Sequence, residues 1–276
     1  MALNSVNTNT GALIALQNLN ATNRDLDTVQ SRINTGQKVA SAKDDGAVWA
    51  IAERMRGKSM AMDAVKDSLQ RSSSTIDVAV AAGEQVSDLL KQMKAKALAA
   101  SDASLDSTSR TAMNEDFKAL RDQIAKVVAN ADFNGINMIK SGGTSVVAIA
   151  NDMGTSRLTV AAQSLALAGA NVTVSATASF NTAATASALV ATVDASITNV
   201  GAALAKLGTG SKSLGSYLTF MMKLQDTLDA GVGNLVDADL AKESARLQAL
   251  QTKQQLGVQA LSIANSSTSS LLGLFR

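Results

Sequence analysis

Residues 48–100 read VWAIAERMRGKSMAMDAVKDSLQRSSSTIDVAVAAGEQVSDLLKQMKAKALAA. Apolar residues recur through this stretch at alternating spacings of three and four: Val48, Ile51, Met55, Met62, Val65, Leu69, Ile76, Ala79, Val86, Leu90, Met93, Ala97 and Ala100. Lys58, Ser72 and Gly83 occupy seam positions without shifting the register. Such a stripe lies on one helix face, and its 3.5-residue period packs left-handed against a partner, so the spacing predicts one helix of about 50 residues. The chain contains no proline, which permits helices of that length.

Outward from this helix, SDASLDSTSR (101–110) is rich in caps and turn formers. The pattern resumes at Met113, Phe117, Leu120, Ile124, Val127 and Ala131, and ends in ADFNGINMI (131–139), where Asn134-Gly135 signals a turn. A long seam runs through Leu189, Val193, Val200, Ala203, Leu207, Leu214, Tyr217, Met221, Leu224 and Leu228, interrupted by Ser196 and Gly210. Beyond GVGNLVDAD (231–239) another follows through Leu240, Leu247, Leu250, Leu261, Ala264 and Leu271. Near the N-terminus Ala12, Leu19, Leu26 and Ile33 recur every seven residues, with Leu16 and Val29 alongside.

Between 140 and 185 the composition turns to Gly, Ser, Thr, Ala and Asn. SVVAIA (145–150) and RLTVAA (157–162) are short β-type runs, and NVTVSATASF (171–180) alternates at period two. The expected fold is mainly α: a long antiparallel coiled-coil helical hairpin or bundle with a small β-rich tip, and N- and C-terminal helices paired at the opposite end. Residues 1–40 and 235–276 form the terminal pair, 47–139 and 186–230 the long-helix bundle, and 140–185 the tip.

Composition excludes much chemistry. Of 276 residues none is Cys or His, so there is no thiol nucleophile, imidazole base or soft metal ligand. No cofactor or metal site is expected. A net charge of +2 and 3% aromatic residues leave neither the basic stripe nor the stacking platforms of a nucleic-acid binder. No apolar run approaches the roughly 18 residues of a membrane span, and MALNSVNTNTG lacks the basic and apolar regions of a cleaved signal peptide.

One cluster invites a catalytic reading: SAKDDG (41–46), with Lys43 beside Asp44 and Asp45 and the only Trp at position 49. A catalytic Lys–Asp pair needs an orienting third group and a pocket, which no motif supplies. At a helix start, carboxylates cap free N–H groups and meet the positive end of the dipole. Ser41, Lys43, Asp44, Asp45 and Gly46 are therefore read as a connector turn.

The outer faces decide between a free coiled coil and a polymer. Coiled coils usually carry charged outer faces, yet only 17% of this chain is charged. Ala, Ser, Thr, Asn and Gln fill the non-seam positions of the terminal helices, and such residues meet a neighbouring subunit with little desolvation cost. A cytoplasmic coiled-coil scaffold is the alternative in another class.

The chain ends carry a family resemblance. NTNTGALIALQNLNATNRDLDTVQSRINTGQKVASAKDDGAVWAIAERM (7–55) resembles the N-terminal signature of bacterial flagellin, and NLVDADLAKESARLQALQTKQQLGVQALSIANSSTSSLLGLFR (234–276) resembles that family's closing helix. Gln254, Gln255 and Gly257 match its Gln-Gln-x-Gly step, and ADFNGINMI its Phe-Asn-Gly turn. The form is short, with only about 45 residues where many flagellins insert large outer domains.

The resemblance implies a structural subunit of the helical flagellar filament, with no enzymatic activity. The terminal helices would form the filament's inner core through Leu13, Leu16, Leu19, Leu26, Val29, Ile33, Leu240, Leu247, Leu250, Leu261 and Leu271. It implies secretion through the flagellar export apparatus without a cleaved signal peptide, and an extracellular location. The implied partners are other copies of the chain, the export apparatus, an export chaperone at the C-terminal segment, and hook-associated and cap proteins. A hook–filament junction protein is the nearest alternative. The resemblance also marks hydroxyls of the tip as O-glycosylation candidates: Ser141, Thr144, Ser145, Thr155, Thr173, Ser175, Thr177 and Ser179. Where many members carry an Arg-x-Arg-Glu-Leu stretch read by a vertebrate innate immune receptor, this chain has Gln92, Met93, Lys94, Ala95 and Lys96, so weak recognition is expected.

Overall fold

A computed structural model describes residues 8–273, with side chains through residue 266. Five helices and two strands follow in the order α1 (Thr10–Thr35), α2 (Gly46–Ala100), α3 (Ser107–Asn130), β1 (Val146–Ile149), β2 (Arg157–Val160), α4 (Ala183–Val236) and α5 (Leu240–Gly273). The chain divides into two compact units, one of residues 58–226 and one of residues 1–57 with 227–276. Helices α2 and α4 each contribute to both.

In the 58–226 unit, α3 and α4 each run antiparallel to α2, as the Lys96–Asp116, Lys94–Asp194 and Lys66–Gln225 contacts show. The seam of α2 is buried from Met62 to Ala100, as its spacing predicts. Asp106 ends the 101–106 turn by capping α3, its Oδ1 accepting from the Thr108 and Ser109 amides. Phe117 of α3 and Phe180 meet edge to face with centroids 5.4 Å apart, both rings buried. In α4, Val193, Val200, Ala203, Leu207, Leu214 and Met221 are buried. Ser196 fits this apolar row because its hydroxyl donates to Thr192 O, 2.9 Å away, and accepts from Thr173 N.

The predicted α2 register fails at one place. Ile51 and Lys58 are exposed, while Ala52 and Ser59 are buried. Ala52 packs instead with Val39, Val232 and Val236. The stripe therefore shifts by one residue near the start of α2.

The β-region is small, as expected, but its position and extent differ. β1 and β2 pair antiparallel with Val146 opposite Val160 and Ile149 opposite Arg157. The segment lies along the helices rather than at their tip. Ile149 N donates to Ser68 Oγ on α2, Thr173 N to Ser196 Oγ on α4, and Arg121 Nη1 on α3 to Ala178 O. Two glycines make room for it. A Cβ at Gly210 would come within 2.6 Å of Val160 Cγ1, and one at Gly83 within 3.2 Å of Leu165 Cδ1 and, nearer still, 2.6 Å of Leu204 Cδ2 on α4. Residues 171–180 do not form the third strand. Val172, Val174, Ala178 and Phe180 are buried in alternation, but backbone pairing is limited to an isolated bridge between Leu167 and Val172, and Thr173 N donates to Ser196 Oγ on α4.

Helix α4 also continues through GVGNLV, read from sequence as a break. Burial of Val232 and Val236 with Val39 and Ala52 offsets the low helix propensity of Gly231 and Gly233. By length and composition α4 is apolar enough to cross a membrane, with an 18-residue window of mean hydropathy 1.4, of which 22% is buried. Scattered alanines and valines with few charges reach that average without a continuous apolar run.

Candidate functional site

The candidate functional surfaces lie in the unit of residues 1–57 and 227–276. Helices α1 and α5 run antiparallel. Asn9 begins the pairing by capping α1 through the Ala12 amide (3.0 Å) while its Nδ2 donates to Ala264 O at 2.7 Å. Further along, Leu19 meets Gly257, and Gln254 Nε2 donates to Asn23 Oδ1 at 2.8 Å. Leu26, Val29 and Leu250 then form a buried cluster with Ile33 and Leu247 against it. Gly36 ends α1 in the left-handed conformation at φ 70°, which glycine adopts without a Cβ penalty.

Two helices in contact bury only one stripe each, so much apolar surface stays open. Leu13, Leu16 and Leu240, expected to pack, are exposed, as are Ile14, Leu256, Val258 and Ile263. Leu19 and Leu261 are half-buried. The side chain of Leu271 lies outside the described residues.

The connector is a turn, as its sequence suggested. Asp44 Oδ2 accepts from the Ala40 and Ser41 amides (3.1 and 2.9 Å) and the Ser41 hydroxyl (3.1 Å). The Ser41 backbone donor, then its hydroxyl, hold the Asp44 carboxyl below its ordinary value. Asp45 Oδ1 accepts from the Ala47 and Val48 amides, both at 3.0 Å, and so caps α2. Gly46 is the first residue of α2, and Lys43 is exposed. Trp49 packs against a second apolar cluster of Val39, Ala52, Val232 and Val236.

Sequence reasoning missed the joint between the two connectors. Lys38 N donates to Val236 O (2.7 Å) and Ala238 N to Gly36 O (2.9 Å), so the segments after α1 and after α4 are stitched together. Beside them Arg32 Nη1 pairs with Glu243 Oε1 at 3.2 Å. The signal was present: Glu243 stands four residues before Leu247 and seven before Leu250, on the buried stripe.

The hydroxyls proposed for glycosylation are sorted by the structure. Ser141, Thr144 and Ser179 are exposed. Ser145 is half-buried and accepts from Ala162 N, Thr173 Oγ1 bonds to Ser196 Oγ, and Ser175 bonds to Thr177. Exposed Thr155 accepts from Asn151 Nδ2. Among the described residues no group of three or more acidic side chains is placed to hold a metal ion.

Comparison with known proteins gives these surfaces a context. Residues 6–144 match the bacterial flagellin N-terminal helical region and residues 190–275 the C-terminal helical region. The chain belongs to the bacterial flagellin family. This flagellin is 59% identical to flagellins FljK and FljM of Caulobacter vibrioides, each over the full length of both chains. It is 38% identical to a flagellin of Brucella melitensis across 99% of each. The fold resembles a Bacillus cereus flagellin crystal structure (TM-score 0.51, 18% identity), covering 56% of this chain and 88% of that one. It also resembles a Vibrio parahaemolyticus structure assigned to a flagellar hook-associated protein (TM-score 0.59, 16% identity), covering 70% of this chain and all of that one. Flagellins are structural proteins, not enzymes, and polymerise into the extracellular flagellar filament.

Proposed function

We propose that this flagellin assembles through the open faces of α1 and α5, which form the filament's inner core. Residues 1–40 and 235–276 make that layer, 47–139 and 186–230 the outer helical layer, and 140–185 a small β-rich region on its surface. The observation that carries the reading is the apolar surface the helix pair leaves open: Leu13, Ile14 and Leu16 on α1, with Leu256, Val258 and Ile263 on α5. Exposed apolar patches of this kind mark protein–protein contacts. No charged residue occurs in residues 1–23 or 254–275, so a second copy could dock there without desolvating a charge. A heterologous contact that does not close on itself propagates as an open helix.

The chain reaches the cell exterior through the flagellar export apparatus without a cleaved signal peptide, and an export chaperone holds its C-terminal segment beforehand. Hook-associated and cap proteins bound the filament at its ends. O-glycosylation, where it occurs, falls first on Ser141, Thr144 and Ser179, exposed hydroxyls with no hydrogen bond among the described residues. An intact mass equal to the sequence mass would dispose of it. Recognition by the innate immune receptor is weak, because Met93 is buried and Lys94 and Lys96 are paired with Asp194 and Asp116. A reporter response matching a strong agonist would refute this.

Assembly is tested by electron microscopy of the intact chain and of one lacking residues 240–276, each in precipitating salt. Long filaments from the intact chain alone are expected. Short rings would favour a junction protein, and soluble dimers from both a coiled-coil scaffold.

A further inference from the structure

Among the described residues Glu243 is the one charged residue that is buried, 8% exposed. A carboxylate has about four acceptor positions, yet Oε1 takes a single contact from Arg32 and Oε2 none among the described residues. The Arg32 contact is one nitrogen at 3.2 Å, looser than the ~2.7–2.9 Å of a close charge-assisted bond or a bidentate pair. Glu243 borders a polar cavity of about 510 Å³ that Arg32 and Arg246 also line.

The other charges beside this cavity are committed or turned away, except Asp237, whose Oδ2 lies against Gly233. Asp44, Asp45 and Asp239 are engaged as turn and helix caps, and Lys38 Nζ donates to Asn234 O. Lys242 adjoins Glu243 in sequence, and helix neighbours one apart do not face each other. Arg246 stands three residues further along α5, where side chains do meet, and it is exposed with no ion pair among the described residues. Two guanidinium groups thus flank one buried, under-coordinated carboxylate: Arg32 on α1, Arg246 on the carboxylate's own helix.

We propose that Glu243 is a two-position latch, its carboxylate trading between Arg32 and Arg246. Paired with Arg32 it ties α1 to α5 one turn from the stitched connectors. Paired with Arg246 it satisfies its charge within α5 and releases α1. The two arrangements conserve charge and differ only in which helix supplies the cation, the kind of discrete alternative from which switching elements are built.

Hydrogen exchange of the intact soluble chain, read at the Lys38 and Ala238 amides that bridge the connectors, tests the competition. Arg32→Gln should speed exchange at both amides by about threefold or more, and Arg246→Gln, which removes the competitor, should slow it by about twofold or more. In a Glu243→Gln background the Arg246→Gln effect should vanish. The proposal is overturned if Arg246→Gln leaves both rates unchanged, or slows them equally with Gln at position 243. Should Arg32→Gln disrupt the α1–α5 pair altogether, the Arg246 comparison still decides.

Discussion

Asp44 shows how a cluster that invites catalysis resolves into a turn. Its Oδ2 takes three hydrogen bonds, one from Ala40 and two from Ser41. Asp63, Asp102 and Asp106 are likewise held below their ordinary 3.8, first by Lys66, by the Ser104 amide and by the Ser109 hydroxyl respectively. A carboxyl with a depressed folded pKa stabilises the fold fully above its unfolded pKa, and the contribution is lost as pH falls through the folded value. Thermal stability should therefore fall as pH drops below about 3.8, and Asp106→Asn should flatten that loss; an unchanged acid slope would contradict it. In the core, Phe117→Ala removes the partner of Phe180 and should cost about 3–5 kcal/mol in urea unfolding. Tyr217 donates its hydroxyl to Ala150 O. Tyr217→Phe should cost about 1 kcal/mol with no change in fold.

At the scale of elements, the strip of residues 140–180 depends on two notches. Gly210→Ala would drive a methyl into Val160, a stiff β-branched side chain, and should destabilise the chain by about 1–3 kcal/mol. Gly208, one turn-face away, meets nothing within 4 Å. Gly208→Ala should instead stabilise α4 by up to about 1 kcal/mol, so paired thermal melts of opposite sign check the notch. Helix identity and length were legible in the sequence because the seam repeats many times, and each repeat corrects errors in the last. Position and pairing in the strip were not. Alternation at Val172, Val174, Ala178 and Phe180 signals one buried face without saying whether a strand or a helix covers it. Gly231 and Gly233 misled for a related reason, since long-range burial of Val232 and Val236 outweighs local propensity. The connector turn was legible because capping is local, whereas the Arg32–Glu243 pair joins residues 211 positions apart.

At the scale of the molecule, the helix pair α1–α5 leaves Leu13, Ile14, Leu16, Leu256, Val258 and Ile263 exposed, and on the proposed assembly these faces meet other subunits. The sequence carried this in an indirect form. Heptads at both ends announced pairing, and charge-poor outer faces announced neighbours, but the exposure of Leu13, Leu16 and Leu240 required the structure. The most direct test places a charge on each open face away from the buried cluster, using the double variant Ile14→Asp and Ile263→Asp. Both positions are exposed, so the fold of either unit should survive, checked by an unchanged melt. Electron microscopy in precipitating salt should then show long filaments from the unaltered chain and none from the variant. Filaments of equal length and number from both would contradict assembly through these faces.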